Sequence, residues 1–175
     1  MAEVQIRPML EPDLMGYKAL RDAMLAGHPD AFTSDAETES LRDLASYRSR
    51  LAGGSSGGTL FTLLALDGGR VVGALTCERE PRRKVQHIAH LVGMMVSDTH
   101  RGRGIGRALL CSAITRLRDI DGLDQVTLSV TSSNRAAVGL YGSVGFTRYG
   151  RLPDAVRLPD GRRLDKDLMV LRLQG

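Results

Sequence analysis

The run from His90 to Arg107 constrains this chain more than any other stretch. Leu91 to Val96 is apolar and bounded by polar residues, so it reads as a buried strand, and the segment after Ile105 carries the apolar spacing of an amphipathic helix. Only a short glycine-rich turn separates the two. Gly102, Gly104 and Gly106 have no Cβ to hold an anion away from the backbone, and the first N–H groups of a helix lack intrahelical partners. Such an end attracts phosphate through hydrogen bonds and the helix dipole. Arg101, Arg103 and Arg107 add positive charge at the same spot, which suits a pyrophosphate better than a neutral ligand.

The spacing separates the known phosphate loops. A dinucleotide fingerprint that starts at Gly102 needs its third glycine at position 107, which is Arg107, and a Walker-type loop needs a Gly-Lys-Ser/Thr ending that is absent. What fits is Gln/Arg-x-x-Gly-x-Gly/Ala, filled by Arg101, Gly104 and Gly106. The loop resembles that of the GNAT superfamily of acyl-CoA-dependent N-acetyltransferases, which cradles the coenzyme A pyrophosphate. A glycine-rich helix entry that merely packs closely is the alternative, so a second motif has to decide. It lies at Asn134, Ala137, Leu140, Tyr141, Gly145 and Phe146, which match the family's Asn-x-x-Ala-x-x-Leu-Tyr-x-x-x-Gly-Phe segment at each named position. The resemblance covers about residues 60 to 150, the cofactor-binding core of a single domain spanning 1–175.

The resemblance implies an α/β (α+β) GNAT fold, a central mixed and mostly antiparallel sheet flanked by about four helices. It also implies acetyl-CoA as cosubstrate and no metal. Coenzyme A is expected on Arg101, Gly102, Arg103, Gly104, Ile105, Gly106 and Arg107, with Asn134 and Tyr141 from the second motif. In that fold the fourth and fifth strands splay beyond a bulge, so backbone N–H groups of Met94, Met95 and Val96 are expected along the pantetheine arm and the thioester carbonyl. Tyr141 takes the family's general-acid position; its other reading is a packed helix tyrosine beside Val138 and Phe146. The family often carries Glu eleven residues before the loop's first Gln/Arg, and that position here is His90, an expected base, with Glu78 or a bound water as substitutes. Counting by twos, His90, Val92, Met94 and Val96 are expected on one strand face. The segment between the first two helices usually borders the acceptor, so Phe32 and Asp35 are expected substrate contacts; the alternative tucks Phe32 into the core, with Ser34 and Glu37 capping the next helix.

The expected reaction is acetyl transfer to a primary amine, of a small molecule or else of a protein or peptide, or a non-catalytic acyl-CoA-binding module. Composition excludes several other classes. The chain is 42% hydrophobic and 25% charged, ordinary for a globular domain, and no apolar run approaches the roughly 20 residues of a membrane span. The N-terminus lacks a signal-peptide core, so cytoplasmic residence is expected. Net charge is +4, yet there is no Trp and the basic residues are interspersed with acids, against a nucleic-acid partner. Arg79, Arg82, Arg83 and Lys84 read as a solvated loop or as a contact to an adenosine 3′-phosphate or acidic acceptor. Cys77 and Cys111 read as small core residues, and both a monomer and a homodimer are compatible with the sequence.

The remaining pattern supplies the other elements. Val4 and Ile6 mark a first strand, and Leu14, Tyr17, Leu20, Met24 and Leu25 a helix ending at Gly27. A second helix is expected over Leu41, Leu44, Tyr47 and Leu51, stopped by the Gly/Ser run 53–58. Strands at 59–66 and 71–77 join at Asp67-Gly68-Gly69, and 126–130 forms another. The final strands are expected at 146–149, 155–158 and 168–173. Gly139 and Gly142 weaken the Tyr141 helix, suggesting a close approach to its backbone.

Overall fold

The computed structural model describes residues 4–53 and 58–173. Its strands are β1 (Gln5–Pro8), β2 (Thr59–Asp67), β3 (Arg70–Arg79), β4 (Ile88–Val96), β5 (Gln125–Thr131), β6 (Thr147–Arg157) and β7 (Arg163–Arg172). They form one sheet in the order β1-β2-β3-β4-β5-β7-β6, antiparallel throughout except for the β4–β5 pair. The helices are α1 (Leu14–Gly27), α2 (Ala36–Ser40), α3 (Ile105–Arg118) and α4 (Arg135–Ser143). This is the expected mixed, mostly antiparallel sheet. Most of the Gly/Ser run 53–58 lies outside the described residues.

Strand alternation sends neighbouring side chains to opposite faces, and two cores result. Leu63, Leu75, Leu91 and Val126 meet Leu109, Leu110 and Leu117 of α3 on one face, while Leu64 and Ala74 meet Tyr17, Leu20 and Met24 of α1 on the other. Each fully buried leucine contributes about 2 kcal/mol. In α1 the apolar residues recur at three- and four-residue spacing, and Arg21 is buried on the same stripe.

Three elements differ from the sequence expectation, each for a local reason. The helix expected over Leu41–Leu51 is replaced by a 3-10 segment, Leu44–Arg50, and α2 precedes it, ending at Ser40, because Asp35 and Asp43 each cap a separate start by accepting from Thr38 N and Ala45 N. Ser34 therefore caps nothing; its hydroxyl accepts from Arg21 Nη2 at 3.1 Å. At the C-terminus, the two strands expected at 146–149 and 155–158 are one strand, β6, with a bulge between Leu152 and Val156. Pro153 is tolerated because β6 is a sheet edge, where a missing N–H costs no ladder bond. Finally, Cys77 is buried as expected but Cys111 is exposed.

Candidate active site

The site begins where β4 and β5 part. They pair at only three positions, Ile88 with Gln125, Ala89 with Val126 and His90 with Thr127, whereas β5 stays bonded to β7 along its whole length. Beyond His90 the edge of β4 that faces β5 has no ladder partner. On its other edge Val92 opposes Thr76 and Met95 opposes Ala74, so Gly93 and Met94 together face Leu75 in a bulge. Gly93 has a φ of 61°, which a side chain would strain.

The extra residue reverses the strand's phase. Leu91 packs in the α3-side core and Met95 in the α1-side core, although four residues apart they would otherwise share a face. His90 consequently points to the α1 side, while Met94 and Val96 pack on the α3 side. The expectation that His90, Val92, Met94 and Val96 share one face is thereby overturned.

A cleft of about 1130 Å³ runs along this opening. At one end it is lined by Met94, Met95 and Val96, by Arg101, Gly102, Gly104, Ile105, Gly106 and Arg107, and by Asn134 and Tyr141. Gly104 is the N-cap of α3 with a φ of 75°, and a Cβ built there meets nothing within 4 Å, so the loop leaves open space over the helix end. Gly106 acts differently. A Cβ there would lie 3.1 Å from both Leu140 Cδ2 and Met94 Cε, so its absence lets α3 approach α4 and β4.

The loop arginines are not equivalent. Arg101 pairs with Asp98 at 2.9 Å and Arg103 with Asp67 at 3.3 Å, and Arg103 does not line the cleft. Arg107 donates to Ser143 Oγ at 2.9 Å and has no carboxylate partner among the described residues. The loop is tethered further by His28, whose Nε2 lies 2.8 Å from Asp98 Oδ1. Asn134 caps α4, accepting from Ala137 N at 3.2 Å.

Tyr141 is 8% exposed and stacks edge-on against Phe146, with ring centroids 6.0 Å apart. Burial pushes its phenol up to about 12, so the hydroxyl keeps its proton at neutral pH. Among the described residues no hydrogen bond ends on that hydroxyl. Gly139 and Gly142 face open space, with nothing within 4 Å, so none of the described residues makes the close approach that was expected there.

The other end of the cleft is lined by Arg21, Phe32, Thr33, Ser34, Arg50, Arg162 and Lys166. Asp35 is absent from it, being turned away as the α2 cap. His90 is absent too: its Nδ1 lies 2.6 Å from Thr127 Oγ1 and its Nε2 3.2 Å from Glu80 Oε1, within the part of the sheet where β4 and β5 still pair. Glu78 accepts from Arg50 at 2.8 Å. Arg21, Arg50, Arg162 and Lys166 are cleft residues the sequence analysis did not single out. A signal existed for Arg21, a cation on the apolar stripe of α1; no motif in the sequence marks the other three as cleft residues.

Arg21 is anchored by Glu39, which accepts from Arg21 Nε at 2.6 Å, from Arg42 at 3.1 Å and from the Tyr47 hydroxyl at 2.9 Å. Burial alone would raise the Glu39 carboxyl, but these donors outweigh it and hold it at about 2. Lys166 is pulled below the usual lysine range by burial. Among the described residues no group of three His, Cys, Asp or Glu is placed to hold a metal ion, and no helix is long and apolar enough to cross a membrane.

A sheet opened at a bulge, with its opening aimed at a glycine-lined helix end, is the architecture of an acetyltransferase of the GNAT class. The family model described as "Acetyltransferase (GNAT) family" matches residues 18–146, well over half the chain, and the protein belongs to that family. Among relatives, the mycothiol acetyltransferase of Salinispora tropica is 39% identical over 88 residues, covering 50% of this chain and 29% of that protein. The N-alpha-acetyltransferase MAK3 of Arabidopsis thaliana is 35% identical over 89 residues, covering 51% of this chain and 46% of that protein. The match thus spans less than half the length of either relative. The structure of yncA from Salmonella typhimurium, solved with its cofactor acetyl-CoA, superposes with a TM-score of 0.80 at 23% identity, covering 99% of this chain and 96% of that one, a likeness of fold.

Proposed function

We propose that this protein transfers the acetyl group of acetyl-CoA to the primary amine of a small molecule, by direct attack while both substrates are bound. The observation that carries the reading is the continuity of the cleft, from the α3 N-terminus past the unpaired edge of β4 to the cationic end at Arg21 and Lys166. The residues present fit the donor: open space over Gly102 and Gly104, free N–H groups at the helix start, and Arg107 without a counter-ion among the described residues. Acetyl-CoA, when bound, supplies a thioester whose carbonyl carbon forms the new C–N bond as its C–S bond breaks.

The chain's own groups then have defined tasks. Unpaired N–H groups of β4 around Met94 to Val96 hydrogen-bond the carbonyl oxygen as it gains negative charge. The Tyr141 hydroxyl donates to the departing sulfur. An alkyl thiol has a pKa of about 8.5, so full proton transfer from a phenol near 12 is uphill by about 5 kcal/mol. A hydrogen bond to the developing thiolate is the contribution that environment favours. The amine has to lose a proton as well, and His90 is too far up the paired part of β4 to touch it directly, leaving relayed water as the route to imidazole or bulk solvent.

Release of free thiol from acetyl-CoA against a panel of small amines and short peptides tests the reading. Turnover with small amines is expected. Acetyl-CoA binding without thiol release for any acceptor would overturn it in favour of a binding module. Turnover confined to peptide N-termini would establish the second reading, the one the Arabidopsis relative favours.

A further inference from the structure

We infer that the acceptor carries a carboxylate as well as its amine, and that Arg21 and Lys166 hold that carboxylate at the Thr33–Ser34 turn. The inference rests on the amine-acetyltransferase reading and names its substrate class. Arg21 is only 5% exposed, yet it lines the cleft. Its Nε is committed to Glu39 and its Nη2 to Ser34 Oγ, while Nη1 has no partner among the described residues. That free N–H group lies 3.9 Å from where a Gly93 Cβ would stand, at the bulge that opens the site. The Tyr17 hydroxyl reaches the same place, 4.0 Å from the same point, and is a fully buried polar atom without a hydrogen-bond partner. The Arg21 Nη1 and Tyr17 hydroxyl donors thus converge on the bulge with no acceptor among the described residues, and the buried hydroxyl costs free energy until an acceptor arrives.

Lys166 approaches the same turn from β7. Its ammonium donates to Thr33 Oγ1, next in sequence to the Ser34 that receives Arg21. No carboxylate pairs with it among the described residues, although burial penalises its charge. Charge counting agrees. Arg21 and Arg42 share the single carboxylate of Glu39, leaving one positive charge in excess, and Lys166 adds a second. Of the other cations there, Arg50 is matched by Glu78 and Arg162 faces two carboxylates, Asp30 and Asp160, so this end keeps a net excess of one positive charge. A carboxylate on the acceptor would balance the excess, and its separation from the amine would set how far the nitrogen reaches toward the thioester.

The experiment compares α-amino acids with their carboxamides as acceptors, by thiol release from acetyl-CoA, in the parent protein, in Lys166→Met and in the double variant Arg21→Gln/Glu39→Gln, which removes both charges of the buried pair together. Acids should exceed their amides by about tenfold or more in kcat/KM in the parent, the scale of a hydrogen bond to a charged group. Both variants should bring that ratio near unity, mainly through a higher KM for the acid, with the acetyl-CoA KM unchanged. Equal use of acids and amides, a preference for amides, or a ratio that survives in both variants would overturn the inference and leave the acetyltransferase reading standing. Failure of acids and amides alike in a protein that acetylates other amines would also overturn it. Failure of every amine despite acetyl-CoA binding would remove the underlying reading as well.

Discussion

The two ends of the cleft are built on opposite plans. The end at α3 is made by one contiguous loop, 101–107, joined by one short helix, and it presents backbone N–H groups and empty space. The end at α1 is made by side chains from α1, from the turn at Thr33 and Ser34, and from β7, brought together across more than a hundred positions of sequence. A backbone cradle accepts any ligand bearing the same phosphates, and it needs glycine more than it needs any particular side chain. A side-chain pocket changes its preference with single substitutions. The contrast suits a common donor at one end and a particular acceptor at the other.

Breaking the backbone plan should have the largest effect. Gly104→Asp combines a φ of 75° with a carboxylate in the anion space, so acetyl-CoA affinity measured by calorimetry should fall by at least about a hundredfold in a folded protein. Unchanged affinity would separate the loop from phosphate binding. The α3 end also holds Tyr141, where Tyr141→Phe keeps the ring and removes the hydroxyl. Turnover should drop by about 10²-fold with acetyl-CoA affinity nearly intact, and turnover within a few-fold of the parent would make Tyr141 a packing residue.

The side-chain plan should show itself in stability against pH. Glu39 sits at about 2 in the folded chain against an ordinary 4.5, so its contribution of about 3 kcal/mol is complete above pH 4.5 and is lost as pH falls from there toward 2. Glu39→Gln should lower the Tm at neutral pH, because it leaves Arg21 buried without its carboxylate, and should flatten the decline in that acid window. Parallel Tm-versus-pH curves for parent and variant would contradict the assignment.

Within the loop, Arg107→Ala should weaken acetyl-CoA binding by about tenfold and reduce its salt sensitivity, because Arg107 lacks a carboxylate partner, whereas Arg103→Ala should stay within about twofold. Equal losses from the two would mean that the Asp67 pairing does not hold Arg103 back. The smallest effect is expected at His90. With its ring engaged by Thr127 and Glu80 outside the cleft, His90→Ala should lower turnover by no more than about threefold and leave the acidic limb of the kcat/KM profile in place. Disappearance of that limb would show that the imidazole takes the amine's proton through water.

The same contrast explains what was legible in the sequence. The loop, the strand before it, α3 and the Asn134-to-Phe146 segment were readable because each is a local pattern: glycine spacing, helical periodicity and an N-cap. The Asp67-Gly68-Gly69 hairpin was readable for the same reason. The 3-10 segment in place of the helix expected at 41–51 was harder to see, since two capping aspartates had to outweigh a plausible apolar spacing. The strands expected at 146–149 and 155–158 are one strand because Pro153, harmful in a central strand, is harmless at an edge, and edge position is a property of the sheet.

By itself the sequence determined the family, the mixed sheet with its helices and the location of the glycine-rich loop, because these follow from residues near one another in the chain. Only the tertiary structure decided which way His90 points, since one extra residue at the Gly93 bulge reverses the face of every later β4 side chain. It also decided that Asp35 caps a helix, and that Arg21 and Lys166 meet at Thr33 and Ser34. Those outcomes depend on contacts between distant segments, and no local period or propensity encodes a partner more than a hundred residues away.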